Sequence, residues 1–192
     1  SGQRAKLDLN VPASPAAASN ISLGSSENAL LQKLGRKPVE TLEGNIGFYA
    51  ALAHGVNDSS ATFKLAAVAT RDALLNDLQR VITSGDETKL GLLAPGLTGE
   101  DRAWALDLLT QALQDPDNKS VGGYASLQLA AMQSKKPVVT LSEGGRTIFS
   151  PDGSFKEYSA KDASAFDKAF GELQNPAVIM QSGDRWFATE KS

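Results

Sequence analysis

Glu43-Gly44-Asn45-Ile46-Gly47-Phe48-Tyr49-Ala50-Ala51-Leu52 is the stretch whose residue types and spacing come nearest to a reactive site. A tight polar turn runs straight into an apolar helix. Free backbone N–H groups and the positive end of the helix dipole stabilise negative charge at such a junction, so it suits a nucleophile. The residue at the opening is Ile46, which has no nucleophilic atom. The chain contains no cysteine, which removes thiolate nucleophiles, disulfides and thiolate metal sites. Its single histidine, His54, sits on the same short helix. With no cysteine or serine beside it, it reads as a hydrogen-bonded core residue and not as a base. A zinc site would need mostly Asp and Glu ligands, so neither a metal nor a cofactor is expected. Asp86, Glu87, Glu100 and Asp101 surround a loop and a helix start and read as a solvated surface. Gly144-Gly145 lacks the Gly-Lys-Ser/Thr that a phosphate loop requires.

The elements that must hold these residues follow from apolar periodicity. Residues 1–24 are rich in Ser, Ala and Pro and are expected to form a flexible arm, with residues 25–192 as a single domain. A short helix capped by Ser26 ends at Gly35, and Pro38 leads into the turn. The buried helix after Ile46 is expected to end at Gly55, and Asn57 to Ser60 to form a turn. A patterned helix spans about 61–83, with Phe63, Ala67, Leu74, Leu75, Leu78, Val81 and Ile82 on one face. A loop through Pro95 and Gly96 reaches Thr98, whose spacing to Asp101 predicts a capping box. Ala105, Leu108, Leu109, Ala112 and Leu113 form the next buried stripe, and Pro116 stops that helix. Gly122-Gly123-Tyr124 opens another helix. Strands follow at Val138 to Leu141, Thr147 to Phe149 and Phe155 to Tyr158, then a helix near 162–173, then a hairpin from Ala177 to Thr189 turning at Ser182-Gly183-Asp184. Helices first, then strands with one helix inserted, make an α+β fold with a small, largely antiparallel sheet packed between helices.

With 192 residues, a net charge of −3 and 41% apolar content, the chain is long enough for one domain with a real core. The mild acidity argues against a general nucleic-acid binder. No apolar run is long enough to span a bilayer.

In order and spacing the chain resembles the ovarian-tumour (OTU) family of papain-like cysteine deubiquitinases. Glu43 to Leu52 is similar to the family's nucleophile block, Gly122-Gly123-Tyr124 to Leu141 to its middle block, and Ala177 to Thr189 to its final strand pair. The resemblance implies a papain-like, OTU-like fold over about residues 40–190. It also implies a catalytic cysteine where Ile46 stands and a general-base histidine where Arg185 or Trp186 stands. Isoleucine supplies no thiolate, guanidinium stays protonated and indole has no basic lone pair. The resemblance therefore implies a pseudo-enzyme without catalytic residues. Its groove would be formed by Glu43, Gly44, Asn45, Ile46, Gly47, Gly123, Tyr124, Arg185 and Trp186, and its partner would be a protein, ubiquitin or a ubiquitin-like protein. A cytoplasmic location, or delivery into a host cell as a bacterial effector, goes with that reading. The alternatives are a scaffold whose groove is filled by Ile46 and Trp186, or a hydrolase using hydroxyls or carboxylates.

Overall fold

The computed structural model describes residues 23–56, 64–115 and 123–192. In chain order the described elements are α1 (Ser25–Lys33), β1 (Arg36–Val39), α2 (Ile46–Val56), α3 (Lys64–Ser84), α4 (Glu87–Leu93), α5 (Gly99–Gln114) and α6 (Tyr124–Ser134). Then come β2 (Val138–Ser142), β3 (Gly145–Phe149), β4 (Phe155–Tyr158), a 3-10 turn (Ala160–Asp162), α7 (Ala163–Gly171), β5 (Ala177–Ser182) and β6 (Arg185–Lys191). The strands form one sheet in the order β1-β6-β5-β2-β3-β4. β2 and β5 run parallel, and every other pair is antiparallel. The sheet lies between helices, as the apolar patterning requires.

Alternation along the strands feeds two cores, because successive side chains leave opposite faces. Val138, Phe149, Ala177, Ile179, Trp186 and Ala188 join α2 to α6 on one face. Val139, Leu141, Ile148, Tyr158, Val178, Met180 and Phe187 meet Leu31 of α1 and Phe166 of α7 on the other. α2 is at the centre: Gly47 through His54 are all buried, and the helix packs on α3, β5 and β6. A helix so enclosed needs no polar face.

Several expectations are corrected. Gly55 lies inside α2 and does not end it; a methyl group there would stand 2.8 Å from the Ala177 Cβ, so glycine lets the helix approach β5. Arg36–Val39, read as a connection, is an edge strand running from Arg36 opposite Lys191 to Val39 opposite Ala188. An edge tolerates Pro38, which has no donor to give. The segment after Asp86, read as loop, contains α4, capped by the Asp86 side chain accepting from the Lys89 N–H at 3.1 Å. Gly24, and not Ser26, caps α1, with the Glu27 carboxylate accepting from the Gly24 N–H at 2.8 Å. Thr98 is the N-cap of α5 but makes no side-chain cap bond. Leu108 and Ile82 are exposed and not buried. Of the expected arm, Leu23 packs on the second core and Gly24 caps α1. Its residues 1–22, the turn 57–60, Phe63, Pro116 and Gly122 lie outside the described residues. No helix among those described is long and apolar enough to cross a membrane.

Candidate functional site

The turn before α2 is built by glycines. Gly44 adopts φ +77°, a region that side chains avoid. The Gly47 N–H donates to the Gly44 carbonyl at 3.0 Å, and the Phe48 N–H to that of Asn45 at 3.1 Å. A methyl group on Gly47 would meet the Leu42 carbonyl oxygen at 2.2 Å, so the chain closes on itself where only hydrogen fits. Glu43 and Gly44 are exposed and Asn45 is half-buried. Ile46 is half-buried, with its side chain packed against the main core.

The last strand meets this turn. The Thr41 hydroxyl donates to the Trp186 carbonyl. The Trp186 ring, 7% exposed, packs edge-on to Phe48 with centroids 5.0 Å apart at 68°. Arg185 takes the opposite face of the sheet, where its guanidinium stacks 5.1 Å from the Phe187 ring and pairs with Glu40. Trp186 therefore lies on the face of the sheet that meets α2, and Arg185 lies on the other.

Trp186 also lines an open cleft of about 550 Å³ on the α6 side of the sheet. Its floor carries Thr140, Thr147, Glu157 and Gln181, and Tyr124 and Leu127 of α6 overhang it. Gln181 lies opposite Trp186 across β5–β6, and Thr147 lies between Thr140 and Glu157 across β2, β3 and β4, all on one face of the sheet, with Ile179 of β5 opposite Thr140. Gly123 caps α6 with extended backbone. Tyr124 follows, its ring edge-on to Phe155 at 4.9 Å and its hydroxyl donating to the Glu157 carboxylate. That hydrogen bond holds the Tyr124 hydroxyl above its ordinary value, with burial and the Glu157 charge acting in the same direction. Behind it, buried Gln128 donates to the Leu92 carbonyl at 2.8 Å and the Gly153 carbonyl at 2.7 Å, tying α6 to α4 and to the β3–β4 turn.

The cleft thus unites Tyr124 and Trp186. Glu43, Gly44, Asn45, Ile46, Gly47, Gly123 and Arg185 do not line it. Sequence reasoning missed Thr140, Thr147, Glu157 and Gln181. Their signal is the period-2 pattern, which places each on the Trp186 face once strand order is known. Hydroxyls of Thr140 and Ser142 line the cleft without an imidazole beside them. His54 is buried eight residues along α2 from Ile46, about 12 Å at the helical rise, and its ring nitrogen lies 3.8 Å from the Glu190 carboxylate. The cleft carboxylates have partners: Glu157 accepts from Tyr124, and Asp162 accepts from the Ser159 hydroxyl at 3.1 Å. Among the described residues no group of three or more His, Asp and Glu side chains is placed to hold a metal ion.

No protein-family model matches the chain, and no curated protein matches it. Among solved structures it is similar to an OTU deubiquitinase from Wolbachia pipientis wMel, with a TM-score of 0.50 and 10% identity over 82% of this chain and 89% of that one. It also matches an ovarian tumor (OTU) domain in complex with ubiquitin, with a TM-score of 0.44 and 11% identity over 80% of this chain and 69% of that one. The chain adopts an OTU-like fold, and having no cysteine it has no residue for cysteine catalysis of the OTU type.

Proposed function

We propose that the chain is a catalytically inactive OTU-like domain kept as a protein-binding module, with ubiquitin or a ubiquitin-like protein as its partner. One observation carries this reading. A cleft rimmed by Tyr124 and Trp186 lies open on the α6 side of the sheet, while Ile46, which stands where the resemblance implies the nucleophile, packs on the main core, and the Trp186 ring packs on Phe48. Tyr124, 47% exposed at the rim of the cleft, is the kind of anchor that dominates protein recognition. The likeness of fold to a deubiquitinase makes ubiquitin the first partner to test. In an NMR titration of the isotope-labelled chain with ubiquitin, saturable shifts are expected at Thr140, Gln181 and Trp186. A spectrum unmoved at high ubiquitin concentration refutes ubiquitin recognition.

The ancestry has its own test. Ile46→Cys with Trp186→His is expected to react with a ubiquitin-derived electrophile, whereas Ile46→Cys with Arg185→His, whose imidazole would leave the other face, is not. Equal labelling of both variants contradicts the assignment of Trp186. Action as an effector inside a host cell belongs to the same proposal and is tested by a translocation reporter fusion.

A second reading is a scaffold whose groove is filled. Trp186, 7% exposed and seated on Phe48, favours it. It predicts that the titration gives no shifts while Trp186→Ala destabilises the fold.

A further inference from the structure

Trp104 is 67% exposed and Leu108, one turn on, is 44% exposed, on the outside of α5. Surface tryptophans this open are uncommon, because leaving the ring in water forgoes a large burial term. The opposite side of α5 is used normally: Leu106 and Leu113 join the main core, and Ala112 is buried beside them. At 100° per residue, Glu100 and Asp107 fall on one side of the Trp104–Leu108 line and Asp101 on the other. All three are exposed. Arg102 is the one basic residue of α5, and it is turned away: its guanidinium donates to both Glu87 carboxylate oxygens at 2.7 and 3.0 Å. The outer face is therefore an apolar stripe between acidic margins with no cation among them.

We infer that this face docks a helix of another protein whose apolar stripe is flanked by lysine and arginine. Two features select that occupant. The stripe is one convex helix face with large residues at i and i+4, the spacing at which ridges of a second helix interlock. The margins are acidic on both sides, so favourable flanking charges on the incoming helix must be basic, as in paired helices whose edge charges choose the partner. A second copy of this chain would bring acid against acid across the contact. Anionic lipid and nucleic acid are repelled for the same reason. The surface is independent of whatever the cleft holds.

The test uses the whole chain and a designed, end-capped helical peptide with leucines along one stripe and lysines beside it, together with its twin carrying glutamate for lysine. The chain has two tryptophans, and Trp186 is buried, so red-edge emission reports Trp104. The lysine peptide is expected to shift that emission to the blue saturably, and the glutamate twin to leave it unchanged. By calorimetry, Trp104→Ala is expected to weaken binding at least about tenfold, as loss of an anchor does. Glu100→Lys combined with Asp101→Lys and Asp107→Lys, at exposed sites that keep the stripe, is expected to do the same and to reverse the preference between the peptides. Salt is expected to weaken the complex. No saturable response to the lysine peptide overturns the inference. So does an equal response to both peptides, or binding that survives both variants. Self-association in sedimentation that Trp104→Ala abolishes also overturns it, since the occupant would then be a second copy.

Discussion

Gly47→Ala probes how closely the turn before α2 is packed. The added methyl would sit 2.2 Å from the Leu42 carbonyl oxygen and 3.3 Å from its carbon. An ordinary C···O contact is about 3.3 Å, so the backbone has to give by roughly 1 Å. The obstacle is main chain, and no rotamer change relieves it. Two terms oppose each other. Alanine gains about 1 kcal/mol over glycine inside a helix. Overpacking a close-packed site costs about 1–3 kcal/mol, and a rigid obstacle places this case at the upper end. The net loss is about 2 kcal/mol, which lowers the urea midpoint by about 1 M at a slope of about 2 kcal/mol per M, or Tm by about 4–8 °C. Gly91→Ala is the matched control: it lies inside α4, where a methyl meets nothing within 4 Å, and it should stabilise by up to about 1 kcal/mol. Because Thr41, next to Leu42, donates to the Trp186 carbonyl, Gly47→Ala should also change the near-ultraviolet circular dichroism of Trp186. If Gly47→Ala unfolds at or above the wild-type midpoint, the steric reasoning is wrong.

Tyr49 is fully buried, and its hydroxyl has no hydrogen-bond partner among the described residues. Tyr49→Phe should therefore leave stability at neutral pH within about 1 kcal/mol of wild type or raise it, as urea titration will show. Burial pushes that hydroxyl from 10.0 up to about 12, against the opposing charge of Arg71. The native chain holds the proton more tightly than the unfolded one, so this contribution is intact below about pH 10 and is lost as pH rises through about 12. The Phe variant should show a shallower alkaline decline. Gln128→Leu removes the donor to the Leu92 and Gly153 carbonyls and should cost about 2–3 kcal/mol by urea titration. The same change should raise hydrogen exchange along α6. Thr41→Val deletes the hydroxyl that donates to the Trp186 carbonyl and should cost about 1–2 kcal/mol, with the Trp186 emission moving to the red.

The parts of the fold visible in the sequence are those whose signal is local. Val138-Val139-Thr140-Leu141 and the hairpin around Gly183 announce strands through β-branched runs and turn residues, and β2, β5 and β6 lie there. Arg36–Val39 hides because an edge strand opposite Thr189 and Lys191 needs little apolar character and accepts Pro38. α4 hides because seven residues containing Gly91 carry too little periodicity to register. Leu108 shows the opposite failure: period alone puts it with Leu109 and Ala112, but how far an apolar stripe is covered depends on the width of its neighbours. At the site, the glycine turn and Ile46 are legible because their chemistry sits in one short stretch. The choice between Arg185 and Trp186 is not, since one residue of register sends a side chain to the other face. The polar floor of Thr140, Thr147, Glu157 and Gln181 depends on strand order, a long-range property that no window of sequence contains.

β6 comes last of the described elements yet lies inside the sheet, with β1 zipped to its outer side and β5 to its inner. The partner that covers Phe48 is Trp186, far downstream. On a ribosome, α2 is complete before the covering strand exists. The roughly 130 residues between Val56 and Trp186 take about 7–26 s to make at ~5–20 residues per second. Through most of that interval the buried face of α2 has neither β5 nor β6 to rest on. Pairing Arg36 with Lys191 also closes nearly the whole described chain into one loop, the slowest kind of contact to find. The waiting time of α2 makes this domain a natural client for whatever shields nascent apolar segments, and ties its yield in a cell to the rate of synthesis as much as to the stability of the finished fold.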